Sequence, residues 1–145
     1  MVSRALIRSL ALAAALLTAP MASAAMTQAE VNDALRGNSS IYNALFTAAI
    51  IHHVAETCDT LGGPGRLERV AFFLPLYRQA RSMGFSRAQI EAFVDDEAEQ
   101  DRMRQLVYRH LEREGVAPNE ASAVCAYGRQ QIEERTPIGR RLSER

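Results

Sequence analysis

The sequence predicts an all-α fold, a small bundle of about five helices cross-linked by one disulfide. No stretch alternates apolar and polar residues with the period of a strand, and β-branched runs are few. Several stretches instead repeat apolar residues at helical spacing, and each is bounded by capping residues, glycine or proline. With 145 residues, 48% of them hydrophobic, the chain has material for a single core and hence for one domain.

Residues 1–24 are predicted to be a secretory signal peptide. Arg4 and Arg8 give it a positive start, and the apolar run at 9–19 is shorter than the roughly 20 residues of a membrane span. Ala22-Ser23-Ala24 then places small residues where a signal peptidase cuts, after Ala24 or after the alanine that follows. We therefore expect a periplasmic protein whose domain spans 25–145 and has no transmembrane segment after cleavage. An uncleaved N-terminal anchor is the alternative.

Capping residues and chain breaks place the helices. Thr27 with Glu30 has the spacing of a capping box, and so does Ser86 with Gln89. The strongest break is Gly62-Gly63-Pro64-Gly65, which separates the second helix from the third. The predicted helices extend from Thr27 to about Gly37, from Asn38 to about Asp59, from Arg66 to Met83, from Ser86 to Gly115, and from Asn119 to Thr136.

Two of these helices and the tail contain an irregularity. Pro75, inside the third helix, removes a backbone hydrogen bond and predicts a kink. In the fourth, the acidic stretch 95–101 interrupts the apolar face, and we expect one continuous helix with a kink there. The alternative is a break near Asp95. The tail, residues 136–145, carries an apolar pair among arginines, and it either docks on the bundle or forms a short interaction arm.

Cys58 and Cys125 are the only cysteines, and we predict that they form a disulfide. Exported proteins reach an oxidising compartment, where such bonds persist. Both cysteines also lie on apolar helix faces, so they can meet where two helices pack. A bridge that closes a loop of roughly seventy residues would stabilise the fold by about 4 kcal/mol. The other members of the two faces are Ile41, Leu45, Ala48, Ile51 and Ala55, and Ala121, Val124, Gly128 and Ile132.

The charged residues restrict the classes of function. The 17 basic and 17 acidic residues give a formal net charge of zero, so the chain lacks the basic field that holds nucleic acids. Every basic residue is an arginine, which leaves no lysine to form a Schiff base or to bind a phosphate. No Gly-x-Ser-x-Gly motif or other catalytic set is recognisable. We therefore expect that the protein is not an enzyme.

The segment around His52, His53 and Glu56 raises the question of a metal or haem site. Each histidine is one helical turn from Glu56, so two of these side chains can share a helix face. The candidate ligands are His53, Glu56 and His110. However, stable zinc sites need three or four ligands, and no Cys-x-x-Cys-His haem motif is present. We expect no cofactor, and a metal- or haem-binding protein is the alternative.

The third predicted helix carries a dense apolar cluster at residues 72–77, which covers all of its sides. One interpretation is a central helix that packs on two faces. The other is that Phe72, Phe73 and Tyr77 form a surface for a partner protein or for a second copy of the chain. The sequence alone leaves both interpretations open.

A family resemblance rests on features spread over most of the chain. They are Cys58, the helix boundary Gly84-Phe85-Ser86, the segment Asp101–Arg104, Cys125 and the tail pair Ile138-Gly139. In these features the chain, from Asn38 to Leu142, resembles an uncharacterised family of small exported proteins of alphaproteobacteria, in particular of Rhodobacter and Paracoccus relatives. The resemblance implies a periplasmic helical protein with one disulfide, and a link to respiratory complex I through neighbouring genes.

These features together predict a non-catalytic accessory or interaction protein of the periplasm, with a protein partner. A respiratory membrane complex, complex I, is the candidate partner that the resemblance implies. A periplasmic stress chaperone that opens at low pH through its acidic side chains is the second hypothesis.

Overall fold

The computed structural model describes residues 25–145, in which six α-helices, one 3₁₀ helix and two short strands are formed. The all-α prediction is confirmed. The predicted signal peptide, residues 1–24, lies outside the described residues. The elements are α1 (Gln28–Gly37), α2 (Ser39–Thr57), β1 (Leu61–Gly62), α3 (Arg66–Ser82), α4 (Arg87–Asp95), α5 (Glu97–Arg113), α6 (Ala121–Glu133), the 3₁₀ helix (Gly139–Arg141) and β2 (Ser143–Glu144).

Both predicted capping boxes are present. The Thr27 hydroxyl accepts from the backbone N–H of Glu30 at 3.3 Å, and the Glu30 carboxylate accepts in return from the Thr27 N–H at 2.7 Å. Ser86 and Gln89 make the same exchange at 3.1 and 2.8 Å. Because each box satisfies two N–H groups that a helix start leaves unpaired, these two residue pairs fix where α1 and α4 begin.

The prediction of one continuous helix over residues 86–115 is wrong, since α4 and α5 are separate helices that meet at Asp96. The backbone of Asp96 is extended, and its carboxylate accepts from the N–H groups of Ala98 at 2.9 Å and Glu99 at 3.1 Å. The second carboxylate oxygen accepts from the amide of Asn32 in α1 at 3.2 Å. A side chain that caps a new helix and is also held by another element favours the break over a kink.

Two further predictions concern Asn119 and Pro75. The structure does not place Asn119 at the N-cap of α6. Glu120 takes that position, one residue later than predicted, and its side chain makes no hydrogen bond to the helix start. Pro75 lies inside α3, which extends from Arg66 to Ser82 as one helix, and the kink at Pro75 stays a prediction.

Two clusters of buried apolar side chains are formed within residues 25–145, and α2 contributes to both. The disulfide core lies where the C-terminal half of α2 meets α5, α6, β1 and the tail, and it comprises Ile50, Ile51, Val54, Cys58, Leu61, Val107, Leu111, Val124, Tyr127 and Leu142. The second core lies where the start of α2 meets α1, α3 and α4, and it comprises Val31, Leu35, Ile41, Ala80, Phe85, Ile90 and Phe93. In this part of the chain, no helix combines the length and apolar composition that crossing a bilayer requires.

The predicted disulfide is confirmed. Cys58, directly after α2, is bonded to Cys125 in α6, with 5.2 Å between the two Cα atoms. The Cys58 side chain is fully buried in the disulfide core. The bond therefore links two helices whose apolar faces already pack against each other, as the positions of the cysteines on those faces predicted.

The tail docks on the bundle, which decides between the two alternatives left open for it. Strand β2 pairs with β1 in antiparallel fashion, and the Arg145 N–H donates to the Thr60 carbonyl at 2.9 Å. Leu142 is buried in the disulfide core. Gly139 lies so close to Gln131 in α6 that a Cβ on this glycine would stand 1.8 Å from the Gln131 carbonyl oxygen. The two-residue strands are too short to show an alternating pattern, so the sequence did not predict them.

Candidate functional site

Helix α3 lies at the edge of the bundle. Ala80 is the only buried residue of this helix, and α3 contacts mainly α2 and α4. Leu67, Val70 and Leu74 are 84%, 55% and 40% exposed, and their spacing places them along one side of the helix. The interpretation of a central helix packed on two faces is therefore wrong. A helix can have hydrophobic side chains on all sides either because it is buried or because one face binds a partner. The sequence pattern alone therefore could not distinguish these two cases.

The three predicted surface residues take different positions around α3. Phe73 is 40% exposed, whereas Phe72 and Tyr77 are half-buried. The rings of Phe72 and Phe73 meet edge to face, with 5.0 Å between their centroids. Phe72 also carries the Arg141 guanidinium of the tail, 4.5 Å above its ring. Phe73 and Tyr77 line a groove beside α3, and Phe73 also lines the neighbouring cleft that holds Phe72, so the three residues are divided between two cavities that meet at Phe73.

An apolar groove of about 400 Å³ separates α3 from α2 and α4. It opens onto the second core, whose buried side chains form its floor. Val94, in α4, lies at its edge and is 54% exposed, which leaves a large hydrophobic side chain in water. A shallower depression of about 270 Å³ continues from it towards α5. The residues that both depressions share are Leu45, Phe73, Phe93 and Val94.

The charged residues that line the groove are acidic. Glu91 and Asp95 in α4 border it, and no basic side chain does so in the part of the chain that the structure describes. Glu91 is paired with Arg87 at 2.6 Å, whereas Asp95 has no ion pair among residues 25–145. The groove therefore combines an apolar floor with a negative edge.

The proposed metal ligand His53 is engaged elsewhere. Its Nε2 atom lies 2.9 Å from the carbonyl oxygen of Pro118, and its ring packs 5.4 Å from that of Tyr108. Glu56 lies 3.4 Å from His52, with both side chains about 70% exposed. This is a solvated pair on one helix turn.

His110, the third candidate ligand, lies in a different environment. Its Nε2 atom is 3.3 Å from the Tyr127 hydroxyl, and its ring meets Phe46 edge to face at 5.5 Å. Burial, with a smaller effect of the Glu114 charge, raises the pKa of Tyr127 to about 12. Within residues 25–145 no group of three or more histidine, cysteine, aspartate or glutamate side chains is arranged around a common metal position. The structure thus does not bring His53, Glu56 and His110 together.

A buried polar cluster was not predicted from the sequence. Glu99, in the acidic stretch that resembled a solvated helix face, is only 8% exposed and is paired with Arg36 of α1. Its second oxygen lies 3.7 Å from the Arg102 guanidinium. Neither this oxygen nor the nearby Tyr42 hydroxyl has a hydrogen-bond partner among residues 25–145. Burial and then the Glu99 charge raise the pKa of Tyr42. Only packing against α1 distinguishes Glu99 from its exposed neighbours.

These features define a small disulfide-bonded helical protein whose main exposed apolar surface is one peripheral helix with the groove beside it. Residues 33–143, from α1 to β2, match the model of a family of unknown function, DUF5333. The chain belongs to this family, and the predicted resemblance to an uncharacterised family is to that extent confirmed. No curated protein and no solved structure matches the chain.

Proposed function

We propose that the protein is a non-catalytic accessory protein of the periplasm that binds a partner protein in the apolar groove. The observation that supports this proposal most is the pair Phe73 and Val94, which hold large apolar side chains 40% and 54% exposed on opposite sides of one groove. Exposing them costs solvation free energy of roughly 25 cal/mol for each Å². A partner that covers the groove would recover this free energy.

The occupant we propose is an amphipathic helix of the partner, with arginine or lysine beside its apolar face. A groove bordered by two helices and floored by buried side chains suits a helix whose apolar residues repeat at helical spacing. Asp95 is exposed beside it and would meet the basic residues of such a helix. A negative groove edge disfavours an acidic helix for the same reason.

The periplasmic location rests on the predicted signal peptide and on the disulfide, because bonds of this kind persist in oxidising compartments. The resemblance to exported proteins with complex I genes as neighbours makes a respiratory membrane complex the partner to test first. Neither the location nor this partner is needed for the groove to bind a basic amphipathic helix, so the two parts of the proposal can be tested separately.

Site-directed photo-cross-linking in the native host tests the partner. A benzoylphenylalanine in place of Val94, in the groove, should cross-link to one protein, and peptide mapping should place the link in a basic amphipathic helix. The matched control carries the same group in place of Arg109, which is exposed on α5 and does not line the groove. Substituting Phe73→Asp in the cross-linkable chain should abolish the link, whereas Leu67→Asp, outside the groove, should leave it. Cross-linking at Val94 no stronger than at Arg109 would contradict the proposal.

A stress chaperone is the second candidate, and the exposed row Leu67, Val70 and Leu74 favours it because chaperones bind clients through exposed apolar surface. Aggregation of an acid-denatured client, followed by light scattering, tests it. Suppression that survives Phe73→Asp but is lost in a Val70→Asp variant would favour the chaperone over the groove-binding accessory protein. No suppression at any pH would remove the chaperone hypothesis.

A further inference from the structure

A second cleft, of about 480 Å³, lies between α2, the start of α3 and the docked tail. Its apolar wall includes Ile51, Ala55 and Phe72. Its rim carries two arginines of the tail, Arg141 and Arg145, together with Arg69 of α3. We call it the arginine cleft. Its volume falls within the roughly 300–1,000 Å³ of pockets that bind small molecules.

The rim arginines come from three separate parts of the chain. Arg69 belongs to α3, Arg141 to the 3₁₀ helix, and Arg145 follows β2. The ion pairs within residues 25–145 engage other basic residues, so none of these three guanidinium groups is within 4 Å of a carboxylate there. Among the described residues that line the cleft, Glu56 is the one with an acidic side chain, and it lies 3.4 Å from His52. Three arginine side chains thus line the cleft with one acidic side chain, in a chain whose formal net charge is zero.

The docked tail positions two of these arginines. The backbone N–H of Arg145 donates to the Thr60 carbonyl at 2.9 Å, which fixes the end of the tail beside β1. The central carbon of the Arg141 guanidinium lies over the Phe72 ring, 4.5 Å from its centroid. This cation–π contact holds the guanidinium against an apolar side chain, and its N–H groups can still donate hydrogen bonds. The cleft therefore offers charge and hydrocarbon contact within one cavity.

We propose that the arginine cleft binds a small amphiphilic carboxylate. The carboxylate would accept hydrogen bonds from the rim guanidinium groups, since the guanidinium fork matches carboxylate geometry. The hydrocarbon part would cover the wall formed by Ile51, Ala55 and Phe72. A purely polar anion would leave that wall exposed to water, and a hydrophobic cation would meet three like charges. This ligand site shares Phe73 with the partner groove, but its arginines lie outside that groove and it does not depend on the proposed function.

Titration of the purified, oxidised protein with decanoate, followed by calorimetry, tests the ligand. Saturable binding with one site is expected, and decylammonium, which has the same chain with the opposite charge, should not bind. Arg141→Gln and Arg69→Gln should each weaken decanoate binding by about tenfold, since each removes one charge-assisted contact. Arg78→Gln is the matched control, because Arg78 is exposed on the same helix as Arg69 but does not line the cleft. If Arg141→Gln disturbs the docked tail, Arg69→Gln still tests the cleft, because Arg69 is exposed on α3 and does not belong to the tail.

Three results would overturn this proposal. One is no saturable binding of decanoate, and the second is equal binding of decylammonium. The third is equal affinity of the Arg69→Gln and Arg78→Gln variants for decanoate. Flotation with vesicles of phosphatidylglycerol separates a free carboxylate from a lipid surface, because binding to vesicles that is lost in Arg69→Gln would assign the cleft to a membrane headgroup instead.

Discussion

The carboxylate of Glu99 pairs with the guanidinium of Arg36 across the contact between α5 and α1, and Glu99 is 8% exposed. The same guanidinium pairs with Asp33 on its own helix, whose side chain is 71% exposed. Arg36 therefore pairs with two carboxylates, of which that of Glu99 is shielded from water and that of Asp33 is exposed to it. The two pairs should contribute very differently to stability, because solvent weakens the exposed one.

The first prediction compares these pairs. Glu99→Ala should lower the free energy of unfolding by about 2–4 kcal/mol, since it leaves the partly buried Arg36 without its shielded partner. Asp33→Ala, the matched control on the other side of the same guanidinium, should cost at most about 1 kcal/mol. Urea unfolding at neutral pH measures both values. Equal losses in the two variants would contradict the burial-based explanation.

The second prediction concerns the junction of α4 and α5. Asp96→Ala should lower the free energy of unfolding by about 1–2 kcal/mol, because the N–H groups at the start of α5 lose their acceptor. Asp96→Asn should retain most of that stability, since asparagine caps helices about as well. Asp95→Ala changes a neighbouring exposed carboxylate and should stay within about 0.5 kcal/mol. The idea fails if Asp95→Ala is as destabilising as Asp96→Ala in urea unfolding.

The third prediction concerns the disulfide. The double variant Cys58→Ser, Cys125→Ser should lose about 4 kcal/mol, a large share of a total stability of roughly 5–15 kcal/mol. His52→Gln, an exposed change near Cys58, should be within about 0.5 kcal/mol of the parent. Melting temperatures give the comparison, and intact mass before and after reduction shows whether the bond is formed. Two alkylatable thiols in protein isolated from the periplasm would overturn the prediction.

The fourth prediction concerns the close contact of Gly139 with α6. Gly139→Ala should destabilise the protein by about 1–3 kcal/mol and release the tail, because the new Cβ would overlap the Gln131 carbonyl. Faster trypsin cleavage after Arg140 and a lower melting temperature are the expected results. Gly37→Ala, where nothing lies within 4 Å of the added Cβ, is the control and should not change tail cleavage. An unchanged cleavage rate in Gly139→Ala would show that the tail can shift without undocking.

The fifth prediction concerns alkaline pH. Burial raises the pKa of Tyr127 from its ordinary 10.0 to about 12, so the unfolded chain gives up this proton first as the pH rises. The stability contributed by neutral Tyr127 is therefore complete below pH 10 and is lost between pH 10 and 12, by about 1 kcal/mol per pH unit. Tyr127→Phe should flatten this fall in urea unfolding at pH 9–12. Since the chain has no lysine, no ammonium group of that kind titrates in the same range. Parallel pH profiles of the two proteins would refute the assignment.

The features that sequence reasoning predicted correctly depend on nearby residues or on a unique pairing. The capping boxes at Thr27 and Ser86 are determined within four residues, and the two cysteines had no other partner in the chain. The break at Asp96 was the alternative to the favoured continuous helix, and the sequence did not decide for it because the carboxylate that caps α5 is also held by Asn32, 64 residues away in sequence. A continuous polar stretch does not reveal such a distant contact.

The candidate sites were harder to predict, because exposure depends on how helices are arranged in space. The apolar residues of α3 were compatible with a buried helix and with an exposed one. Only the position of α3 at the edge of the bundle shows that most of them are exposed. The arginine cleft combines Arg69 with Arg141, which are far apart in the chain and meet only because the tail docks. Glu99 became buried through α1, which its local sequence could not indicate.

The position of the disulfide has a consequence for local motion. Cys58 and Cys125 hold together the half of the bundle around the C-terminal end of α2, whereas α1, α3 and α4 pack on the other half through noncovalent contacts alone. Amide hydrogens should therefore exchange with solvent sooner in α1 and α4 than in the C-terminal half of α2 and in α6. The walls of the apolar groove belong mainly to this second half, so the proposed partner helix would bind where the disulfide does not restrain the bundle.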